Sequence, residues 1–320
     1  MTKKTIAITG GAGLIGSFLA EEILRSGCKV VVIDDFSKGS RKNLEGFPDS
    51  LELREGDLEN SEFAIDSIKG CDVVYHLASR AYGVGYQIDH HLDALLHNEI
   101  ITNNILSAII KHQPKHVLMT SSSCVYDDNG PDTIPELPLF DHNPEFVNKG
   151  YGWAKRFLEK KSELLAQELG ISITIVRPFN IYGERYQWFG QYSSAIPMLV
   201  KRVMDGENPL TVWGSGNQRR SYIHAQDCAR MMIALVESGY TKGPINIGTK
   251  ETISVRELVN IICKCANLHP DLVFDKNKPE GRFIKSSDTT LFNEVINDFS
   301  FSVPLEVGIS KMIKWYEKSF

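Results

Sequence analysis

A chain of 320 residues can bury a large core, as one big domain or two moderate ones. Its 42% hydrophobic and 23% charged residues are ordinary for a soluble globular protein, and a net charge of -5 argues against general affinity for nucleic acid or anionic membranes. No apolar run reaches the length of a membrane span, and the opening "MTKKTIAITGG" has too short an apolar run for a signal peptide. Of the cysteines at 28, 71, 124, 228, 263 and 265 only the last two are close, which predicts reduced thiols in a cytoplasmic protein and no metal site.

Short apolar runs alternate with amphipathic helical patterns as far as Pro178. "TIAIT", "KVVVIDD", "LELREG", "DVVYHLA", "HVLMTSS" and "ISITIVRP" read as strands, mostly apolar on both faces. Between them "GLIGSFLAEEILRSG", "LDALLHNEIITNNILSAIIKH" and "YGWAKRFLEKKSELLAQELG" repeat apolar residues at helical spacing, with Gly27 and Gly170 placed to end the first and last. The alternation predicts an α/β fold: a doubly wound parallel sheet of Rossmann type over residues 1–178, covered on both faces. From Phe179 to about Gly216 the chain is rich in glycine and proline and reads as loop. Helical patterns return near 225–238 and 254–266, so 179–320 is expected to form a smaller substrate-binding region, with some segments returning to the sheet.

The first strand-to-helix turn carries Gly10, Gly13 and Gly16, where a backbone must approach a pyrophosphate and helix N–H groups lie unpaired. The next strand ends in Asp34-Asp35, about 20 residues on, as a ribose 2′-hydroxyl requires. Asp34 would repel a 2′-phosphate, so NAD is favoured over NADP, although Lys38, Arg41 and Lys42 lie close behind. The third strand ends in Gly56-Asp57-Leu58, where a carboxylate could accept from the adenine amino group. Three features in register predict dinucleotide binding.

Tyr151 and Lys155 share one face of a predicted helix, one turn apart. Any tyrosine can have a lysine four residues later by chance, yet of eleven tyrosines only Tyr151 does. An ammonium near a phenol favours the phenolate, which is expected to draw the tyrosine pKa toward neutrality and make it a usable base.

With "TGGAGLIG", "GDL", "HLAS", "SSSCVY", "YGWAK", "RPFNIYG", "RRSYIHAQDCA" and "PEGRFIKSSDTT", nearly the whole chain resembles the extended short-chain dehydrogenase/reductases, in the branch acting on nucleotide sugars. The resemblance implies that Tyr151 takes the proton of a sugar hydroxyl while the carbon's hydride passes to NAD. Lys155 would hold the nicotinamide ribose, and Ser122 would share the hydroxyl's hydrogen bond. Leu58 and Ala78 join the implied cofactor set, and Asn180, Arg220 and Arg282 match the diphosphate positions of the substrate. Relatives also pair two long helices into a homodimer, here those around 93–112 and 151–169.

Within that family, 4,6-dehydratases carry an Asp-Glu pair where this chain has Ser123-Cys124, so that dehydration is not expected. The cysteine instead resembles GDP-mannose 3,5-epimerase most closely, with features of GDP-fucose synthase, in which it exchanges protons beside a 4-ketone. The loop "YGVGYQIDHH", with Gly85 and Tyr86 as substrate contacts, is similar to the glycine-rich loop of the former. A ketone at C4 acidifies C3 and C5, which a thiolate could then deprotonate. The partner acid of those relatives is missing: Phe189 stands for the lysine and Ser194 for the histidine. A buried, inert Cys124 is the plain alternative. The resulting expectation is an NAD-dependent nucleotide-sugar epimerase working through a 4-keto intermediate, on a GDP-linked hexose or heptose. The rival is a 4-dehydrogenase that releases the keto sugar, and a non-catalytic NAD sensor is a third reading that an intact Tyr-Lys pair disfavours.

Overall fold

The computed structural model describes residues 4–81, 83–190, 193–278 and 282–319. Its main sheet contains β1 (Thr5–Thr9), β2 (Lys29–Asp34), β3 (Leu51–Glu55), β4 (Val73–His76), β5 (His116–Thr120), β6 (Ser172–Pro178) and β7 (Pro244–Ile247). All pair in parallel, in the order β7-β6-β5-β4-β1-β2-β3. Strand order reverses between β1 and β4, and the crevice beyond their carboxyl ends is where such sheets bind ligands.

Apart from the edge strand β3, the strands are mostly apolar because both faces are covered. Along β1, Ile6 and Ile8 enter the core on one face while Ala7 enters the core on the other. The first face packs against α1 (Leu14–Arg25), contributing Phe18 and Leu19. The second packs against α2 (Ser61–Ser67), α3 (His91–His112) and α4 (Lys149–Leu169), through Ile105, Ile109, Leu158 and Leu165. The predicted stops are found: Gly27 and Gly170 both take positive φ at the ends of α1 and α4.

Residues 179–216 hold more structure than their composition suggests. Helix α5 (Ala195–Met204) lies inside the segment read as loop. Pro197 sits in its first turn, where a missing N–H breaks no intrahelical bond. After it, α6 (Ala225–Ser238) returns to the first face of the main sheet, beside β7. Helices α5, α7 (Val255–Ala266) and α8 (Leu305–Ser319) enclose a third core with Val200, Leu258, Ile262 and Met312.

A small four-stranded sheet joins Ile253–Ser254, Arg219–Arg220, Ile284–Ser287 and Thr133–Ile134. In it Arg220 stands opposite Lys285, and Ser286 stands opposite Thr133. Late strands are thereby tied to the segment that follows β5. Among the described residues, no helix is long and apolar enough to cross a membrane.

Candidate active site

At the carboxyl end of β1 the glycines let backbone approach backbone. Gly10 has φ +68°, and a Cβ there would stand 2.9 Å from the Ala78 amide nitrogen. A Cβ on Gly16 would overlap the Gly10 carbonyl, so the turn cannot open to take a side chain. Gly13 caps α1 without a side chain, which leaves the helix N-terminus accessible to an anion. The buried Asp34 carboxylate accepts 2.9 Å bonds from the Ala12 and Phe36 amides, fixing the turn against β2. Burial raises its pKa, and those two amides oppose the rise.

Asp57 follows β3, accepts from the Glu59 amide at 2.9 Å and pairs with Arg80 at 3.5 Å. Beside it Leu58 is buried in the second core. The basic residues behind Asp34 are engaged elsewhere. Arg41 pairs with Glu55, Lys42 donates to Ser319, and Lys38 donates to the Ala81 carbonyl at 2.9 Å. Among the described residues no cation pairs with the Asp34 carboxylate, which fits a ribose diol rather than a phosphate.

Tyr151 and Lys155 lie in the first turns of α4, and both are buried. Gly152 makes this seat close: a Cβ there would come within 2.7 Å of the Cys124 carbonyl. The Tyr151 hydroxyl faces Ser79 and Ser122, each of which acts to lower its pKa. Lys155 donates to the Thr120 carbonyl at 2.8 Å, and its Nζ lies 5.5 Å from the Tyr151 ring centre. Among the described residues the buried Thr120 hydroxyl has no hydrogen-bond partner, which leaves a polar group for a ligand at this strand end.

The expectation of a phenol drawn toward neutrality is corrected here. Burial pushes the Tyr151 pKa up, with the charge of Cys124 adding to it, and Lys155 does not offset this. Lys155 is itself brought down to about 7, by burial and then by the nearby Lys38. An amine that is half neutral at pH 7 gives little field to stabilise a phenolate.

Ser122 caps the single 3-10 turn Ser123–Val125, accepting from the Cys124 amide at 3.1 Å. That bond fixes the relation between Ser122 and the thiol. Tyr86, on the short helix Val84–Gln87, packs with Ala94, Tyr151 and Cys124 and donates to Asp93 at 3.2 Å. Gly85 on the same helix is exposed. The loop is thus a wall of the site at Tyr86.

Although no carboxylate occupies 123 or 124, one is brought beside them. The Glu145 amide donates to the Cys124 carbonyl at 3.2 Å, and the Glu145 carboxylate faces the thiol. The same carboxylate accepts from Lys285 and from Asn148, each at 3.0 Å. Lys285 and Glu145 keep only 7% and 13% of their side-chain exposure, so this ion pair is shielded from solvent. Burial alone would raise the Glu145 pKa, but the Lys285 charge and the hydrogen bonds from Asn148, Lys285 and Cys124 hold it below the ordinary value. Burial, then the charge of Glu145, pushes the Cys124 thiol up to about 12.

The proposed phosphate residues gather on the same side. Asn180 has φ +41° and donates to the Ser221 carbonyl at 3.0 Å. Arg220 donates to the Arg219 carbonyl at 2.8 Å and lies within electrostatic reach of Arg282 and Glu145. Arg282 donates to the carbonyls of Asp127, Gly130 and Pro131, so its guanidinium is spent on the loop after the 3-10 turn. Phe189 is exposed with Lys201 over its ring. Ser194 caps α5 and hydrogen-bonds with Tyr186, whose charge is felt at Tyr151.

Four site residues escaped the sequence reading: Ser79, Glu145, Tyr186 and Lys285. Ser79 closes "HLAS" and Lys285 lies in "FIKSSDTT", so both stood inside noted motifs. Glu145 had no signal beyond being a charge between Pro144 and Phe146.

The family model described as the NAD dependent epimerase/dehydratase family matches residues 6–248. The chain belongs to that family. It is similar to the UDP-N-acetyl-alpha-D-glucosaminuronate decarboxylase of Bacillus cytotoxicus, 30% identical over 99% of this chain and 98% of the relative. It is also similar to the GDP-L-fucose synthase of Dictyostelium discoideum, 23% identical over 98% and 96%. Among solved structures, the UDP-N-acetylglucosamine 4-epimerase of Methanobrevibacter ruminantium M1 superposes with TM-score 0.86, at 25% identity over 100% of both chains. This family member is therefore an NAD-dependent enzyme of the nucleotide-sugar class, and its sheet is of Rossmann type.

Proposed function

We propose that this enzyme is a nucleotide-sugar epimerase that works through a 4-keto intermediate, on a GDP-linked hexose or heptose. The observation that carries the reading is the meeting of the Ser79, Ser122 and Tyr151 hydroxyls at the end of β5, with a thiol two residues past Ser122. NAD, when bound, supplies the acceptor for the hydride of C4. Gly10, Gly13, Gly16, Asp34, Asp57, Leu58 and Ala78 would hold it, with Lys155 at the nicotinamide ribose.

Tyr151 exchanges a proton with the sugar 4-hydroxyl, and Ser122 orients that hydroxyl. Tyr151 takes that proton as its phenolate and gives it back when the hydride returns; burial makes the phenolate strongly basic, and Ser79 and Ser122 act to stabilise it. Arg220, with Asn180, is the candidate for the substrate diphosphate, and Arg282 holds the neighbouring loop. Tyr86 and Gly85 line the sugar's far side. Returning hydride to the other face of the ketone inverts C4 and needs no second acid.

Cys124 and the GDP-L-fucose synthase relative support a GDP-linked substrate. A second reading has its own observation. The 30% identical relative is a UDP-uronate decarboxylase, and oxidation at C4 would equally activate a C6 carboxylate for loss. We also propose a homodimer through α3 and α4, and a cytoplasmic location in keeping with six free cysteines.

The test is to incubate the holoenzyme in heavy water with GDP-mannose, UDP-glucose, UDP-N-acetylglucosamine and UDP-glucuronic acid, reading products by NMR. An inverted GDP-sugar supports the proposal. Carbon dioxide from UDP-glucuronic acid identifies the decarboxylase, and a released keto sugar with reduced cofactor identifies the dehydrogenase.

A further inference from the structure

The Glu145–Lys285 pair has no part in C4 oxidation, yet it is buried against the thiol beside the Tyr151 site. Burying two charges is costly, and a structural tie between a loop and a strand could be made with apolar groups. The two residues are 140 positions apart, and Lys285 stands on the small sheet opposite Arg220. The groups facing Glu145 are Lys285, Asn148 and Cys124, with Arg220 within electrostatic reach. Those facing Cys124 are Glu145, Lys285, Ser122 and Tyr151.

We propose that Cys124, Glu145 and Lys285 form a proton relay that exchanges the hydrogen on the sugar carbon beside the 4-ketone, with Glu145 as the base behind the thiol. The relay rests on the 4-keto reading above. In the oxidised sugar, the C–H bond next to C4 breaks and its proton passes to the Cys124 sulfur. In the same movement the S–H proton passes to the Glu145 carboxylate. The electron pair of the C–H bond becomes the carbon–carbon double bond of an enolate, whose oxygen accepts hydrogen bonds from Tyr151 and Ser122. The thiol is regenerated, Glu145 carries the proton, and Lys285 keeps its charge. The sulfur then holds the hydrogen taken from carbon and Glu145 holds the former thiol hydrogen, so the thiol must trade its hydrogen with solvent through Glu145 before reversal returns a solvent hydrogen to the carbon.

A neutral thiol cannot remove a proton unaided, and Glu145 is the ionised acceptor in contact with it. Lys285 is a positioning residue, because it keeps that acceptor ionised.

Holoenzyme is mixed in heavy water with GDP-mannose and with UDP-glucose, following NADH absorbance and deuterium at C3 and C5 separately. In Glu145→Gln, deuterium incorporation relative to the NADH formed should fall roughly 100-fold. Lys285→Met should raise the pH at which exchange reaches half its maximum by about 1 unit, since the carboxylate loses its counter-charge. A merely structural pair would not move that midpoint.

A second arm needs no sugar: alkylation of Cys124 by iodoacetamide, read by mass spectrometry at pH 8. Glu145→Gln removes a negative charge from beside the sulfur and should speed alkylation several-fold, and Lys285→Met should slow it. Glu145→Gln exchanging within about twofold of wild type, or alkylation indifferent to both changes, would overturn the relay. Wild type that forms NADH without any deuterium uptake overturns the relay and leaves C4 oxidation standing. Neither NADH nor exchange from any sugar counts against the proposed function instead, and the alkylation arm still decides the coupling.

Discussion

At Tyr151 and Lys155 the spacing in the sequence and the environment in the fold say different things. The spacing suggests an ammonium tuning a phenol, whereas burial raises the phenol and brings the amine to about 7. Replacing Tyr151 with Phe should remove nearly all turnover and leave NAD bound, because only the proton-transferring hydroxyl is lost. Retention of most activity in a steady-state assay would place the proton elsewhere.

Lys155 carries a stability prediction with a definite sign. Its folded pKa of about 7 is below that of the unfolded chain, so between these values the unfolded state binds more protons and stability rises with pH. Below pH 7 the full cost of burying the ammonium is present. Lys155→Met should therefore be more stable than wild type at pH 7, by roughly 1–3 kcal/mol, with the advantage shrinking toward pH 10. Urea unfolding at pH 7 and pH 9 measures the difference, and an advantage that grows with pH would contradict the assignment.

Element by element, the sequence is most legible where both faces of a strand are buried. β1, β2, β4, β5 and β6 are continuous apolar runs for that reason. β7 was not predicted: four residues, "PINI", give too little pattern to tell a strand from a turn exit. α5 was hidden because Pro197 and the surrounding glycines mimic loop composition. Cys124 was legible through its neighbours, whereas Glu145 and Lys285 become partners only on folding, 140 positions apart, and leave no local spacing to read.

The layer formed by α3 and α4 has a testable core. Ile105 and Leu158 are fully buried in the second core. Leu158→Ala should cost about 2–5 kcal/mol, through lost burial and the cavity left behind. Chemical denaturation checks this, and a loss below 1 kcal/mol would mean that the site collapses to fill the space.

For the whole molecule, the outer side of that layer is exposed and apolar. Leu92, Leu96 and Ile100 on α3 and Phe157 and Leu164 on α4 all lie at the surface, at exposures from 37% to 67%. A second copy of the same layer would bury them as a four-helix interface. Light scattering at micromolar concentration should give twice the 35.9 kDa chain mass, and Leu96→Glu should return the monomer. A wild-type monomer under those conditions contradicts the homodimer.

The central claim is that the Ser79, Ser122 and Tyr151 hydroxyls serve oxidation of a nucleotide sugar at C4. It is tested most directly with GDP-mannose and UDP-glucose carrying deuterium at C4. The label should pass to the nicotinamide in wild type and stay on the sugar in Tyr151→Phe, as read by mass spectrometry of the released cofactor. Label that never reaches the cofactor from either sugar, or that reaches it equally well in Tyr151→Phe, would contradict the account.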